Sequence, residues 1–293
     1  MAYFMRLLDL TRRVDGSTEP VRAAEAFGIA RPRMEWLCRA DEGGGSGGSG
    51  VNCARIDRYV VHACGTHTET VLHLVPRSRW PSEEGETPVW PPPFGEYEAL
   101  LLVCRPTCID SDAMLGRWQA DYPAMCIGDR VLLERDLPER WEGCVGDALV
   151  QAVALIVLDG DGSGDSIVDD VENPPYIHPA VIAALRQTYN SVRHFLTNLP
   201  SLDRAVDAGQ VRTHRAVFAS ELDALHMVDE EGAPAAVPVS ARHTITELLA
   251  VPTSLAAPQT RRGYLIIALA PMRGMDAVPS SVYFRESRKR PDG

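Results

Sequence analysis

The sequence predicts an α/β protein built around buried strands, and three stretches carry that reading. Residues 97–104 form a continuous apolar run of strand length, the pattern of a strand covered on both faces. Residues 148–158 form the strongest apolar run, closing on Ala154-Leu-Ile-Val-Leu158. Pro179 then suits the first turn of a helix over 180–189 that sets Val181, Ile182 and Leu185 on one side, and 191–197 return as a strand.

In chain order, residues 5–11 read as a short first strand and 34–39 as a second. The Ala-rich stretch 21–27 is a helical turn or part of an entrance segment. The Gly-Ser run at 43–50 has neither side chains to bury nor stiffness. Too little chain precedes it to form a domain, so it is expected as an excursion within a hairpin of one domain spanning 1–293. Residues 51–63 alternate weakly and lead on to Gly65. The stretch 76–93, rich in Pro, Trp and acid, suits a surface loop whose Trp80 and Trp90 either line a pocket for a flat aromatic substrate or pack on the body. Residues 129–141 are charged with scattered leucines and read as an exposed helix or loop. Gly160-Asp-Gly-Ser-Gly-Asp165 lacks the acid positions and closing glutamate of a calcium loop, so a turn is expected.

Composition narrows the function. The chain has 293 residues, 45% hydrophobic and 24% charged, ordinary values for a globular protein. A net charge of −11 argues against nucleic acid as a partner. The seven cysteines include no Cys-x-x-Cys pair, so a structural zinc site is not expected. The N-terminal residues do not read as a secretory signal, and no apolar run reaches membrane-spanning length. A reducing cytoplasm with free thiols is the simplest setting. The Gly-x-Ser-x-Gly and Gly-x-Gly-x-x-Gly matches both lie inside the glycine-serine run, with no strand before or helix after, and carry no catalytic or dinucleotide meaning.

The stretch His62-Ala-Cys-Gly65-Thr-His67-Thr-Glu69-Thr-Val-Leu-His73 concentrates three of the chain's eight histidines. His67 and Glu69, two apart, share one face of an extended strand. A short turn brings His73 back to the same point. Two imidazoles and a carboxylate on one side suit a divalent cation such as Zn²⁺ or Mn²⁺. Gly65 permits a backbone bend or a close approach that a Cβ would block.

Gly65-Thr66-His67-Thr68-Glu69-Thr70-Val71-Leu72-His73 resembles the H-x-G-T-H-x-D-x-P-x-H signature of the cyclase family of metal-dependent hydrolases, which includes bacterial kynurenine formamidase and isatin hydrolase. Glu69 replaces the aspartate, Val71 the proline, and Ala63 the first histidine, with His62 one residue early. Asp9-Leu10-Thr11 is similar to an early family segment, and Pro200-Ser201-Leu-Asp203 to its D-T-P-S-x-D run, where Asn198 and Leu199 depart. Thr213-His214-Arg215 and Ile245-Thr-Glu247 resemble the segments holding the remote histidine and glutamate ligands; residues 263–274 and 278–283 resemble the last strands. The resemblance implies a compact α/β domain with a β-barrel-like core of mixed strands flanked by helices, of the swivelling β/β/α type, and a homodimer. Residues 219–243 are longer than the family's interval and are expected as a loop insertion, with His226 and His243 as surface histidines.

By the same resemblance, Glu69, His73, His214 and Glu247 hold one metal, and His67 and Glu69 hold a second that lacks an imidazole at Ala63. One well-formed Zn²⁺ or Mn²⁺ site and a second, weak or absent, are therefore expected, unless His62 or Cys64 swings in. The implied activity is hydrolysis of a small amide, an N-formyl arylamine or a cyclic amide such as isatin, with His67 or Glu247 shuttling the proton. The alternatives are a catalytically inactive member that binds a small ligand or partner, favoured by Ala63 and Asn198, and a biosynthetic cyclase or lactonase.

Overall fold

The computed structural model describes residues 7–14, 32–38, 53–57, 59–77, 80, 92, 94–138, 149–159, 173–226, 242–270, 272 and 274–287. The strands in chain order are β1 (Leu7–Asp9), β2 (Arg33–Cys38), β3 (Cys53–Asp57), β4 (His67–Glu69), β5 (Phe94–Cys104), β6 (Thr107–Cys108), β7 (Arg130–Leu132), β8 (Ala152–Val157), β9 (Tyr176–Ile177), β10 (His194–Thr197), β11 (Thr244–Glu247), β12 (Gln259–Leu269) and β13 (Ala277–Glu286). The helices are α1 (Val61–Cys64), α2 (Asp112–Trp118), α3 (Pro179–Thr188), α4 (Arg212–Val217) and α5 (Ala219–His226).

Seven strands close into a ring in the order β13-β12-β5-β8-β10-β11-β4 and back to β13, and β1 pairs with β13 at Tyr283 to Arg285. The pairs β5–β8, β8–β10 and β10–β11 are parallel and the remaining ring pairs antiparallel. The expected mixed, barrel-like core is therefore present. Its closing member is the three-residue β4, paired on one side with β11 and on the other with β13.

Alternation along the strands explains why the apolar runs are continuous. Leu101, Val103, Ala154, Ile156, Leu265, Ile267, Val282 and Phe284 cluster with one another inside the ring. Leu100, Leu102, Val153, Leu155 and Phe195 point outward and pack under Val181, Ile182 and Leu185 of α3 and Val217 of α4. Over 99–104 and 152–157 both faces are buried, so these two stretches carry no polar side chain. Asn198 clasps β8 from the end of β10: its Oδ1 accepts from Val157 N at 2.7 Å and its Nδ2 donates to Val157 O at 2.9 Å. Its departure from the family run thus serves the backbone.

Several expectations change. Within 51–63, β3 ends at Asp57, and His62 and Ala63 sit on the single turn of α1. Within 129–141 the described part is β7 followed by a 3-10 turn at Glu134–Asp136, with Val131, Leu132 and Leu133 fully buried; pairing with β6 and β9 outweighs the charged composition. The segment 219–243 begins as α5. His243 is buried, its Nδ1 2.8 Å from Glu221 Oε1, so a carboxylate compensates for the water it loses. Trp80 packs on the body, with Nε1 donating to Val75 O at 2.9 Å and the Arg77 guanidinium over its ring. The glycine-serine run, Trp90, residues 21–27 and 160–165 and the His226 side chain lie outside the described residues. The strands flanking the run do pair antiparallel, Arg33 with Asp57. Among the described residues no helix is long and apolar enough to cross a membrane.

His194, at the start of β10, gives the fold a pH dependence. It is buried against Tyr97, with Nδ1 2.8 Å from Thr244 Oγ1. Burial first, then the neighbouring His243 and Arg193, hold its pKa down to about 3. The folded state keeps the ring neutral while the unfolded chain protonates near pH 6.5, so the stability it contributes is present above pH 6.5 and lost as pH falls toward 3. The urea midpoint of the wild type should fall between pH 7 and pH 4 with a contribution of up to about 1.4 kcal/mol per pH unit that is missing from His194→Asn. Parallel pH profiles of the two proteins would count against this assignment.

Candidate metal centre

The closing strand carries the centre. Along β4, His67 and Glu69 point outward, on the face that carries Ile245 in β11, while Thr68 between them points inward to Thr246 Oγ1 at 2.7 Å and Ser280 Oγ at 3.0 Å. Antiparallel register sets His67 opposite Glu247, and their side chains meet with Nε2 3.5 Å from Oε2. After Glu69, a 3-10 turn at Val71–Leu74, capped by Thr70, brings His73 back, as the spacing predicts. Gly65 makes a close approach: a Cβ there would lie 3.1 Å from Val14 Cγ2 and 3.2 Å from Arg12 O, so a neighbour would have to give by a few tenths of an ångström. Arg12 N donates to Thr66 Oγ1 at 2.6 Å across that contact.

Glu69 is the centre of the cluster and has no exposed surface. Its Oε1 lies 2.7 Å from His214 Nε2, and its Oε2 lies 3.4 Å from His62 Nδ1 and 3.7 Å from His73 Nδ1. Neither oxygen has an aligned hydrogen bond, and His67 Nε2, also buried, has none. Glu247 stands on the other side, its Oε1 accepting from Leu202 N at 2.8 Å and lying 3.6 Å from His214 Nε2. The five residues expected at the site, His67, Glu69, His73, His214 and Glu247, are thus brought together.

Two of the imidazoles are held in a defined tautomer. His67 Nδ1 faces Gly65 O at 3.0 Å; a carbonyl only accepts, so Nδ1 donates and Nε2 turns its lone pair to the centre. His214 Nδ1 donates to Asp203 Oδ2 at 2.6 Å, leaving Nε2 toward Glu69 and Glu247. Asp203 also accepts from the backbone N–H of Thr213 and His214 and from the Tyr122 hydroxyl. Lone pairs aimed at carboxylates repel unless a proton or a metal cation sits between them. Electrostatics shows the same demand. Burial opposes charge on His67 and His214, yet Glu247 and Glu69 outweigh it for His67, and Glu69 and Asp203 for His214, so both pKa values rise. Burial likewise opposes ionisation of Glu69, and His214 and His73 overcome it and lower its pKa.

Two residues escape the sequence reading. Asp276, directly before β13, receives both exposed-side imidazoles on one oxygen: its Oδ2 is 3.1 Å from His62 Nε2 and 2.9 Å from His73 Nδ1. It reaches them because Ala277 pairs with Glu69 and Thr70 N donates to Asp276 O at 3.1 Å. Asp203 is visible as a motif match, but its contact with His214 is not. Three overlapping groups have ligand atoms near enough to share a cation: Glu69, His73 and His214; His62, His67 and Glu69; and His62, His73 and Asp276. Cys64 belongs to none of them among the described residues. The donor set, imidazole nitrogens with carboxylate oxygens, suits Zn²⁺ or Mn²⁺.

Asp203 is placed to orient a metal-ligating histidine through its second nitrogen. Replacing Asp203 with Asn leaves one oxygen where Thr213 N and the two His214 nitrogens now use both, and so weakens the hold on His214 Nδ1. Zn²⁺ affinity measured by competition with a chromophoric chelator should fall by about 10- to 100-fold with an unchanged circular dichroism spectrum; wild-type affinity in this variant would remove Asp203 from the centre.

No family model matches the chain, and no curated protein matches it. Among solved structures, isatin hydrolase A from Ralstonia solanacearum is similar with a TM-score of 0.49 and 16% identity, covering 95% of this chain and 91% of that one. Isatin hydrolase A from Labrenzia aggregata, bound to benzyl benzoate, has a TM-score of 0.46 and 17% identity over 95% and 93% of the two chains. A potential metal-dependent hydrolase with cyclase activity has a TM-score of 0.46 and 15% identity over 98% of this chain and 100% of that one.

Proposed function

We propose that this chain is a metal-dependent hydrolase of the cyclase family that cleaves the C–N bond of a small amide. The observation that carries the reading is Glu69: a fully buried carboxylate, with both oxygens lacking an aligned hydrogen bond, ringed by His62, His67, His73 and His214. An isolated buried carboxylate is strongly disfavoured unless a cation compensates it. Glu69, His73, His214 and Glu247 are the residues to hold that cation. The Gly65-Thr66-His67 signature and the segments around His214 and Glu247 support the same family.

When bound, a divalent cation supplies Lewis acidity, bringing the pKa of a water toward neutrality and polarising a carbonyl. The chain's own residues supply the rest. Gly65 O and Asp203 fix the imidazoles of His67 and His214, so the centre is organised before substrate arrives. Hydrolysis adds water across the amide, breaks the C–N bond and needs a proton delivered to the departing nitrogen. Of the two groups expected to shuttle it, Glu247 is the one to pass that proton, through Oε2, while its Oε1 faces His214 and His67 Nε2 turns its lone pair to the centre. N-formyl arylamines and cyclic amides such as isatin are the substrate classes of choice. The inactive-binder alternative loses one support, since Asn198 serves the β8–β10 backbone and does not mark a decayed centre.

Protein purified without chelator should carry zinc or manganese. Glu69→Ala and His214→Ala should carry little, and hydrolysis of an N-formyl arylamine or of isatin should vanish with chelation and return on adding Zn²⁺ or Mn²⁺. A wild-type chain that holds no metal and takes up neither ion would overturn the reading.

A further inference from the structure

The family signature has a histidine where this chain has Ala63, which leaves the second cation position one imidazole short. The structure brings one from the neighbouring residue. Because residues 61–64 wind into the turn of α1, His62 and not Ala63 faces the cluster: its ring centroid lies 5.0 Å from that of His67 and 4.6 Å from that of His73. Ala63 is buried away as part of the core. The two ring nitrogens of His62 have different neighbours, Nε2 at 3.1 Å from Asp276 Oδ2 and Nδ1 at 3.4 Å from Glu69 Oε2. A carboxylate at Nε2 makes that nitrogen the donor, so Nδ1 turns its lone pair toward Glu69.

Glu69 divides the cluster. Its Oε1 addresses His214, and its Oε2 addresses His62. The groups Glu69–His73–His214 and His62–His67–Glu69 share only this carboxylate. Asp276 links the two groups: one oxygen holds His62 and His73, the three together form the third group able to share a cation, and the β13–β4 pairing fixes its backbone. It is tied to the cluster from residues 214 and 203 positions away in the chain.

We propose that the centre holds two divalent cations on either side of Glu69, the second on His62, His67 and Glu69, with Asp276 as the positioning residue that aims His62. This rests on the hydrolase reading above and goes beyond it, because it rebuilds the position that the Ala63 substitution removes. The consequence is specific to this chain: a histidine displaced by one residue is brought into place by a helical turn and an acid from the far end of the sequence.

The test is a titration of metal-stripped full-length protein with Co²⁺ alone, followed by visible absorption and equilibrium dialysis. The wild type should take up two equivalents in distinguishable steps, and His62→Ala one. Asp276→Ala, which releases His73 as well as His62, should weaken both steps, the second by about 10- to 100-fold. Asp276→Asn, which keeps an oxygen for His62 Nε2, should recover part of that loss. An Asp276 that positions neither imidazole would leave both affinities unchanged. The inference fails if the wild type binds a single equivalent, or if His62→Ala and Asp276→Ala both keep two with unchanged affinities; the hydrolase reading survives either result. A wild type that binds no Co²⁺ sinks both.

Discussion

Much of this structure depends on burying a charged carboxylate on the strand that closes a barrel. Glu69 lies in β4, three residues long, and no other described strand joins β11 to β13. Removing a carboxylate from water is strongly unfavourable unless opposite charge compensates it. Around it stand four imidazoles on α1, β4, the 3-10 turn after it, and α4, held by Asp276 (His62 and His73), Gly65 O (His67) and Asp203 (His214). Closure of the ring and assembly of the polar cluster are therefore one event, satisfied together or not at all.

Backbone strain collects around the same event. Leu248, immediately after Glu247, and Val211, at the start of the helix that carries His214, both have positive φ, an expensive state for a branched side chain. Each is held in place from several sides. Leu248 donates its N–H to Leu199 O and accepts on its own carbonyl from Thr66 Oγ1, and Val211 N donates to Asp207 Oδ2. The hydroxyls of Thr68, Thr246 and Ser280 fill the inner side of the seam without leaving a polar atom unmatched. The seam is thus rigid on both faces, which a centre with fixed ligand directions needs.

The sequence exposes those parts of this arrangement that are local or carried on a recognisable segment. His67, Glu69 and His73 are legible because strand alternation and one short turn suffice to place them. His214 and Glu247 are legible because their neighbours resemble a known pattern, and the buried strands β5 and β8 because both their faces are apolar. Asp276 is not legible: its partners lie more than two hundred residues away, and nothing beside it announces a ligand. His62 is half hidden, since its part depends on residues 61–64 taking a helical turn that the weak alternation of 51–63 does not announce. Strand β7 and buried His243 are missed for a related reason. In each, a tertiary partner (β6 and β9 for the one, Glu221 for the other) decides the outcome against local polarity.

The ring order also sets a schedule for synthesis. β4 is made early but can pair only with β11 and β13, the latter spanning Ala277–Glu286, and β1 likewise waits for β13. While the ribosome is still extending the chain, β5, β8 and β10 can associate side by side, but His67 and Glu69 have no place to settle until nearly everything else has emerged. Through that interval β4 has no partner, so the pairing that seats the acidic-imidazole strand must follow the emergence of β13.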